Sequence, residues 1–308
     1  MSIFEVKEWW STTISKDEEF DGNSVCIDNI DNENPNRNKI CVSSFKGILR
    51  IYEPSFGPAR VDNLLFERQL DQPIIQIGSG NFVINANDKQ LAVLQAKKLI
   101  VYQFYNLRSG VSTKTCYEHK LLRNAFNFCI GRIGEKNYDF IFVQSVDGVI
   151  SIFEQDSVVN HVALNEVIFP GPIGFLSRKD HLLVSNTAYE IECYSYNNLA
   201  TTNSKSEDKK IIYTWTYNLG ELVREIKIID NKITKKQEIM IVTETMLHLL
   251  EDNGKVLFQK KLDFEPMALY VYNIEDPNYS ANKNINLMYA ISTESDHILV
   301  YKGLNLVW

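Results

Sequence analysis

The sequence predicts an all-β chain: a β-propeller of four-stranded antiparallel blades, seven-bladed in design, with about six blades present. Three observations carry that prediction. An aromatic residue stands four positions ahead of an aliphatic one at Phe66, Tyr117, Phe169, Trp215 and Phe258, and Trp308 ends the series. Successive aromatics lie 51, 52, 46, 43 and 50 residues apart, and a period of about 40–50 residues belongs to propellers and solenoids. Second, each period holds a strand, a tight turn and a strand with period-2 apolar spacing, which is that of strands and not helices. Third, each of several periods opens on a further apolar run, so that the unit has four strands.

The opening strands are read at Val25-Cys26-Ile27, Ile74–Ile77, Phe126–Ile130, Glu225–Ile229 and Met267–Val271. The hairpin is clearest in two copies that align without a gap, Val42 to Tyr52 and Val143 to Phe153, with turns at Lys46-Gly47 and Asp147-Gly148. Gly47 and Gly148 suit such turns because glycine accepts positive φ without steric cost. The hairpin's second strand recurs at Leu99–Tyr102, Ile191–Tyr194, Leu247–Leu250 and Ile298–Tyr301. The fourth strand carries the aromatic. A set of β-sandwich domains is the alternative all-β reading, but sandwiches would not repeat one four-strand unit six times.

The single period predicts one propeller domain over 1–308, incomplete at its C-terminal end. Trp9-Trp10 lies upstream of the first opening strand, and residues 1–14 are expected to supply a strand that closes the last blade and hides its edge. A seventh blade would need three more strands after Trp308. An open edge of this kind predicts marginal solubility. The polar stretch 201–210 reads as a mobile loop, because it has nothing to bury.

Composition excludes several functions. The 308 residues are 44% hydrophobic and carry a net charge of −7. Nucleic-acid binders ordinarily hold a basic excess, so no nucleic-acid partner is expected. No stretch reaches the about 18 apolar residues of a membrane span, so no transmembrane segment is expected. The five cysteines, Cys26, Cys41, Cys116, Cys129 and Cys193, form no C-x-x-C pair and read as buried free thiols in a reducing compartment.

The chemistry-bearing residues assemble into no motif. The five histidines lack zinc spacing. Glu118-His119 reads as a solvated strand face, and His248 as surface or interblade packing. Asp28 to Glu33 alternates oxygen side chains as calcium loops do, but lacks the sharp-turn glycine and reads as a turn. Gly78-Ser79-Gly80 lacks the Lys-Ser/Thr of a phosphate loop. No catalytic, cofactor-binding or metal residue is therefore assigned, and no cofactor is expected. The residues singled out are structural repeat marks: Phe66, Tyr117, Phe169, Trp215, Phe258, Trp308, Gly47 and Gly148.

The marks of WD40 and kelch propellers are absent, but a different set of residues matches a known family. It begins with Glu8-Trp9-Trp10-Ser11-Thr12, Glu18-Glu19-Phe20-Asp21, and Ser44-Phe45-x-Gly47-x-Leu49-Arg50-Ile51. It continues through Leu91–Leu94, Tyr117-Glu118-His119, Gln144-Ser145-x-Asp147-Gly148, Pro170-Gly171-Pro172, Trp215-Thr216-x-Asn218-x-Gly220-Glu221, Asp252-Asn253-Gly254 and Lys260-Lys261-Leu262-Asp263. Together these resemble the start of the parathyroid-hormone-responsive B1 family, the ninth of the Bardet–Biedl syndrome proteins and a BBSome subunit.

The resemblance implies a seven-bladed propeller followed in the family by further domains. It also implies a non-enzymatic scaffold in a coat-like complex that moves membrane proteins to and from the cilium. Its partners would be other BBSome subunits and, through the complex, ciliary membrane-protein cargo. Its place would be the cytoplasm, cilium, basal body and centriolar satellites, peripheral to the ciliary membrane. The hairpins Ser44–Ile48 and Ser145–Val149 are candidate contacts. A propeller enzyme or calcium-binding module is the alternative function.

Overall fold

The computed structural model describes residues 9–33, 37–55, 57–58, 63–86, 88–105, 112–164, 169–202, 211–231, 236–272 and 287–308. It contains six four-stranded antiparallel sheets. They fall into two compact units, Lys7–Ala163 and Leu164–Thr202 with Ser206–Trp308. Residues 203–210 of the polar stretch lie outside the described residues.

The N-terminal unit holds three sheets. Sheet one is Val25–Asp28, Lys39–Ser43, Ile48–Tyr52 and Leu64–Gln69. Sheet two is Ile74–Gly80, Gln90–Gln95, Lys98–Tyr105 and Ser112–Lys120. Sheet three is Ala125–Arg132, Asp139–Ser145, Val149–Glu154 and Ser157–Ala163. Trp10–Ser11 does not join them; it pairs in parallel with Gly57–Pro58 beside sheet one.

The C-terminal unit holds the other three. Sheet four is Ile173–Leu176, His181–Ser185, Glu190–Ser195 and Trp215–Asn218. Sheet five is Val223–Asn231, Lys236–Thr243, Met246–Glu251 and Val256–Lys261. Sheet six is Pro266–Tyr272, Met288–Thr293, Ile298–Lys302 and Asn305–Leu306. A single helical turn, Tyr196–Thr201, leaves sheet four with Ser195 as its N-cap. Serine suits that place because its hydroxyl accepts an orphan backbone N–H, here that of Asn198 at 3.3 Å.

The middle strands are buried on both faces, because each sheet packs against a neighbour. Ile51, Phe66, Leu91, Val93 and Phe104 form one core between sheets one and two. Leu94, Val101, Ile141, Val143 and Phe153 form a second between sheets two and three. In the other unit, Leu183, Cys193, Ile239 and Ile241 fill the space between sheets four and five, and Leu249, Leu269, Tyr289 and Ile291 that between five and six. Gly78 lies inside the first strand of sheet two and Gly80 ends it. A Cβ on Gly78 would stand 3.0 Å from the Phe128 ring, so glycine there lets sheet three approach sheet two.

Strand register explains the repeat marks. On the fourth strands, Phe66 stands opposite Ile51, Tyr117 opposite Val101, Trp215 opposite Cys193 and Phe258 opposite Leu249. Trp308 exchanges backbone hydrogen bonds with Val300. The aliphatic residue four positions on marks where the chain leaves the strand. Its N–H bonds the carbonyl of the hairpin's last turn residue: Leu70 to Gly47, Leu121 to Lys97, Leu219 to Tyr189 and Leu262 to Thr245, at 2.8, 2.9, 2.8 and 2.8 Å.

Phe169 is the exception and corrects the sequence reading. It lies after the fourth strand of sheet three and is 73% exposed, while Ile173 opens sheet four. The residue in register, opposite Ile152, is Asn160, and the aliphatic four positions on is buried Leu164. The aromatic position sits on a half-buried edge strand, where a polar residue is tolerated; the aliphatic position does not have that freedom.

Candidate interaction surface

Four hairpins share one turn chemistry. In Ser44–Ile48, Ser145–Val149, Asn186–Glu190 and Thr293–His297, the first side chain accepts the N–H of the fifth residue, at 3.4, 3.0, 3.0 and 3.2 Å. The fourth residue takes positive φ: Gly47 at 82°, Gly148 at 79°, Tyr189 at 62° and Asp296 at 61°. Only the glycines do so without steric cost. At Gly47 a Cβ would also stand 2.5 Å from the carbonyl oxygen of Gln72. These turns hold Ser44 and Ser145 buried and leave Val146 and Asp147 exposed, so each presents its tip and not its whole length.

The residues weighed for chemistry are spent on structure. His119 is buried, not solvated: Nε2 lies 2.6 Å from the carbonyl of Gln155 and its ring 4.5 Å from that of Phe153. Glu118, one residue away on the strand, points to the opposite face and pairs with Lys98. His248 is buried beside Tyr217 and Gln259, and burial lowers its pKa. In the acidic turn, Asp31 pairs with buried Lys39 at 2.7 Å and Asp28 accepts from Ser79 at 2.7 Å. Asn32 takes positive φ there and bonds the backbone of Lys89. All five cysteines stand in strands as free thiols, and burial raises their pKa values.

Among the described residues no group of three or more His, Cys, Asp or Glu side chains is placed to hold a metal ion. No helix among them is long and apolar enough to cross a membrane.

What the surface does offer is sheet faces. The face of sheet one turned away from sheet two carries, in register, Val25-Val42-Arg50-Glu67 and Ile27-Ile40-Tyr52-Leu64. Its outer half is covered by the N-terminal segment. The Trp10 ring lies 5.5 Å from that of Tyr52. Glu18 grips the Arg50 guanidinium with both oxygens, at 2.8 and 2.9 Å, and Glu67 takes its Nε at 2.6 Å. The hydrogen bonds from Arg50 hold the Glu18 carboxyl below its ordinary pKa.

Sheet six has a corresponding face, turned away from sheet five. There Ala268-Ser292-Ile298 and Tyr270-Ala290-Val300 lie in register. Tyr270 is 62% and Ile298 57% exposed. The opening strand of sheet one is open in the same way, with Val25 49% and Ile27 60% exposed, so the two faces differ in the cover over their outer halves. Sequence reasoning could not reach this contrast, because the same period-2 pattern writes a covered face and an open one.

Four antiparallel strands, repeated six times around shared cores, define the β-propeller class. Solved propellers superpose on this chain: BBS1N in complex with ARL6DN at a TM-score of 0.65, with 13% identity over 92% of this chain and 79% of that one. The Saccharomyces cerevisiae protein Sqt1 matches at 0.61, with 9% identity over 87% and 69% of the two chains. The WD40 domain of Toxoplasma gondii coronin also matches at 0.61, with 9% identity over 85% and 65%. These likenesses show the fold.

The chain belongs to the PTHB1 N-terminal family, which matches residues 1–308. Relatives named Protein PTHB1 are 32% identical in Homo sapiens and 31% in Xenopus laevis, over all of this chain and 36% and 38% of their own length. A Caenorhabditis elegans relative, the pthb1 homolog, is 26% identical over all of this chain and 39% of its own. The chain thus spans little more than a third of the length of these relatives.

Proposed function

We propose that this chain is a non-enzymatic docking domain of the BBSome, working as a scaffold in the movement of membrane proteins to and from the cilium. One observation carries the proposal: every residue of the chain falls within the PTHB1 family match, at about a third identity to the human relative. The propeller likeness to BBS1N, itself solved with ARL6DN, supports a place among proteins of this kind. The partners are other BBSome subunits and, through them, ciliary membrane-protein cargo. The place of action is the cytoplasm and the cilium, with its basal body and centriolar satellites, peripheral to the ciliary membrane. The unit is one propeller domain over 1–308.

The test is recovery of partners. The tagged protein, purified from ciliated cells, should bring down BBSome subunits. Its melting temperature should not move with added calcium, whereas a resident calcium site would raise it. Failure to recover any BBSome subunit would overturn the proposal.

A further inference from the structure

The turn end of sheet three combines an unusual display of apolar side chains with a rigid backbone. The connection 121–124 and the turn 146–148 emerge at one end, because Ala125 pairs with Ser145. Four hydrogen bonds fix them. Leu121 N–H donates to Lys97 O at 2.9 Å, Ala125 to Ala96 O at 2.8 Å and Val146 to Asn124 O at 2.8 Å, while Lys97 Nζ donates to Leu122 O at 3.0 Å. On this fixed backbone Leu122 is 78%, Val146 51% and Phe126 42% exposed.

Comparison with the other repeats shows that the fold does not require this. The residue after the aliphatic mark is Asp71, Gly220 or Asp263 in the corresponding connections, and Leu122 only here. Phe126 is the extra residue of a β-bulge between Ala125 and Asn127. The same bulge occurs in sheets two, five and six, and a bulge re-aims the residue it leaves out of the ladder. In sheet two that residue, Ile75, packs into the core, whereas Phe126 in sheet three and Met267 in sheet six, 54% exposed, turn outward; in sheet three it is joined by exposed Leu122 and Val146.

The charge around the patch differs from that of the whole. At this end Lys98 pairs with Asp71 and Glu118 and Arg123 with Asp147, and Lys97 and Lys120 add two further cations, a small basic excess in a chain of net charge −7. Lys97 spends its ammonium on a carbonyl and not on a carboxylate. We infer that the turn end of sheet three is a docking surface for an acidic segment of a partner protein, seated by apolar side chains on Leu122, Phe126 and Val146. The inference rests on the scaffold reading and names the chemistry of one of its contacts. Rigidity favours the site, since a preformed surface loses little entropy on binding, and the basic fringe attracts the acidic segment before contact.

The experiment places a photoreactive benzophenone amino acid at position 122 and, as control, at exposed Glu135, in the protein expressed in ciliated cells. The expected result is an adduct at 122, at least tenfold over the control, mapping to one acidic segment with apolar anchors. Leu122→Glu should then cut co-purification of that protein at least tenfold with unchanged melting, and Leu122→Met should retain it. Equal yields at the two positions would overturn the inference, as would an adduct on a basic segment, on lipid or on a second copy of the chain. Recovery of BBSome subunits is scored in the same preparation. Subunits recovered without an adduct at 122 sink this surface and leave the scaffold reading standing. An adduct on an acidic segment with no subunit recovered does the reverse.

Discussion

The first and last sheets carry the same kind of strand pattern and differ in what covers them. On sheet one, Tyr52 is only 6% exposed on the face turned away from its neighbour, because Trp10 packs on it and Glu18 holds Arg50 alongside. On sheet six, Tyr270 lies on the opening strand of the comparable face and is 62% exposed, as Ile27 is at 60% on the opening strand of sheet one, which the N-terminal segment leaves uncovered. Alternation decides which residues share a face. Whether that face is buried depends on chain remote in sequence, here a segment some forty residues upstream. The lesson is that an outward apolar residue on a sheet has no fixed energetic meaning until its cover is known.

The comparison breaks most sharply at the aromatic pair. Trp10→Ala should destabilise the N-terminal unit by about 2–3 kcal/mol, toward the low end for removal of a large aromatic because Trp10 is half-buried. Tyr270→Ala should cost no more than about 0.5 kcal/mol, as for an exposed position. Urea melts of the two variants give the difference directly. Equal losses would mean that the cover on sheet one contributes nothing. A second measurement reads the open face itself. Tyr270→Lys with Ile298→Lys should lower self-association of the 308-residue chain in sedimentation without changing its melt, since charge blunts an exposed apolar sheet. Unchanged self-association would show that this face is not the sticky one.

The ion pair comes next in size. Glu18→Gln removes a bidentate charged partner from a largely buried guanidinium and leaves Arg50 with Glu67 alone. A loss of about 1–2 kcal/mol is expected. The Glu18 carboxyl titrates below its ordinary 4.5 in the folded chain. Its contribution is therefore present above pH 4.5 and fades as the pH falls through the folded value. The wild-type and Glu18→Gln melting curves should converge below that point; a constant gap down to pH 3 would show that the pair's charge is irrelevant.

Much of this was legible from the residues. Five of the six marks stand where the period placed them, because position-specific packing opposite the third strand favours a large ring and the exit hydrogen bond favours an aliphatic residue after it. Phe169 misled because it imitates the mark by spacing alone. Asn160–Leu164 holds the true register, and nothing in the composition of Asn160 announces a strand. The bulges were invisible for a related reason: the extra residue needs no special φ, so Ile75, Phe126, Arg224 and Met267 share a place without sharing a character. The turns at Tyr189 and Asp296 lack the glycine that marks such turns in sequence, yet Asn186 and Thr293 repeat the side-chain cap of Ser44 and Ser145. Of the interaction surface, the tip residues Val146 and Asp147 are within reach of sequence, while the exposure of Leu122 and Phe126 arises only in the fold.

The smallest effect sharpens the comparison by pH. Buried His248, packed between sheets four and five, has its pKa lowered from 6.5 by burial, against a weaker pull upward from Glu221. Protonation thus favours the unfolded chain, whose histidine titrates near 6.5. Stability from this site is complete above that value and is lost as the pH falls from 6.5 toward the folded pKa. His161 in the N-terminal unit is shifted the same way, but it is less deeply buried and hydrogen-bonded to Ser151 at 2.9 Å, so it adds less. The C-terminal unit should therefore begin to soften at mildly acid pH, before the Glu18–Arg50 pair of the other unit fails. His248→Gln should flatten the pH dependence of amide exchange in sheets four and five between pH 6.5 and 5, with the exchange of sheet one unchanged. Equal pH slopes in wild type and variant would remove His248 from the account.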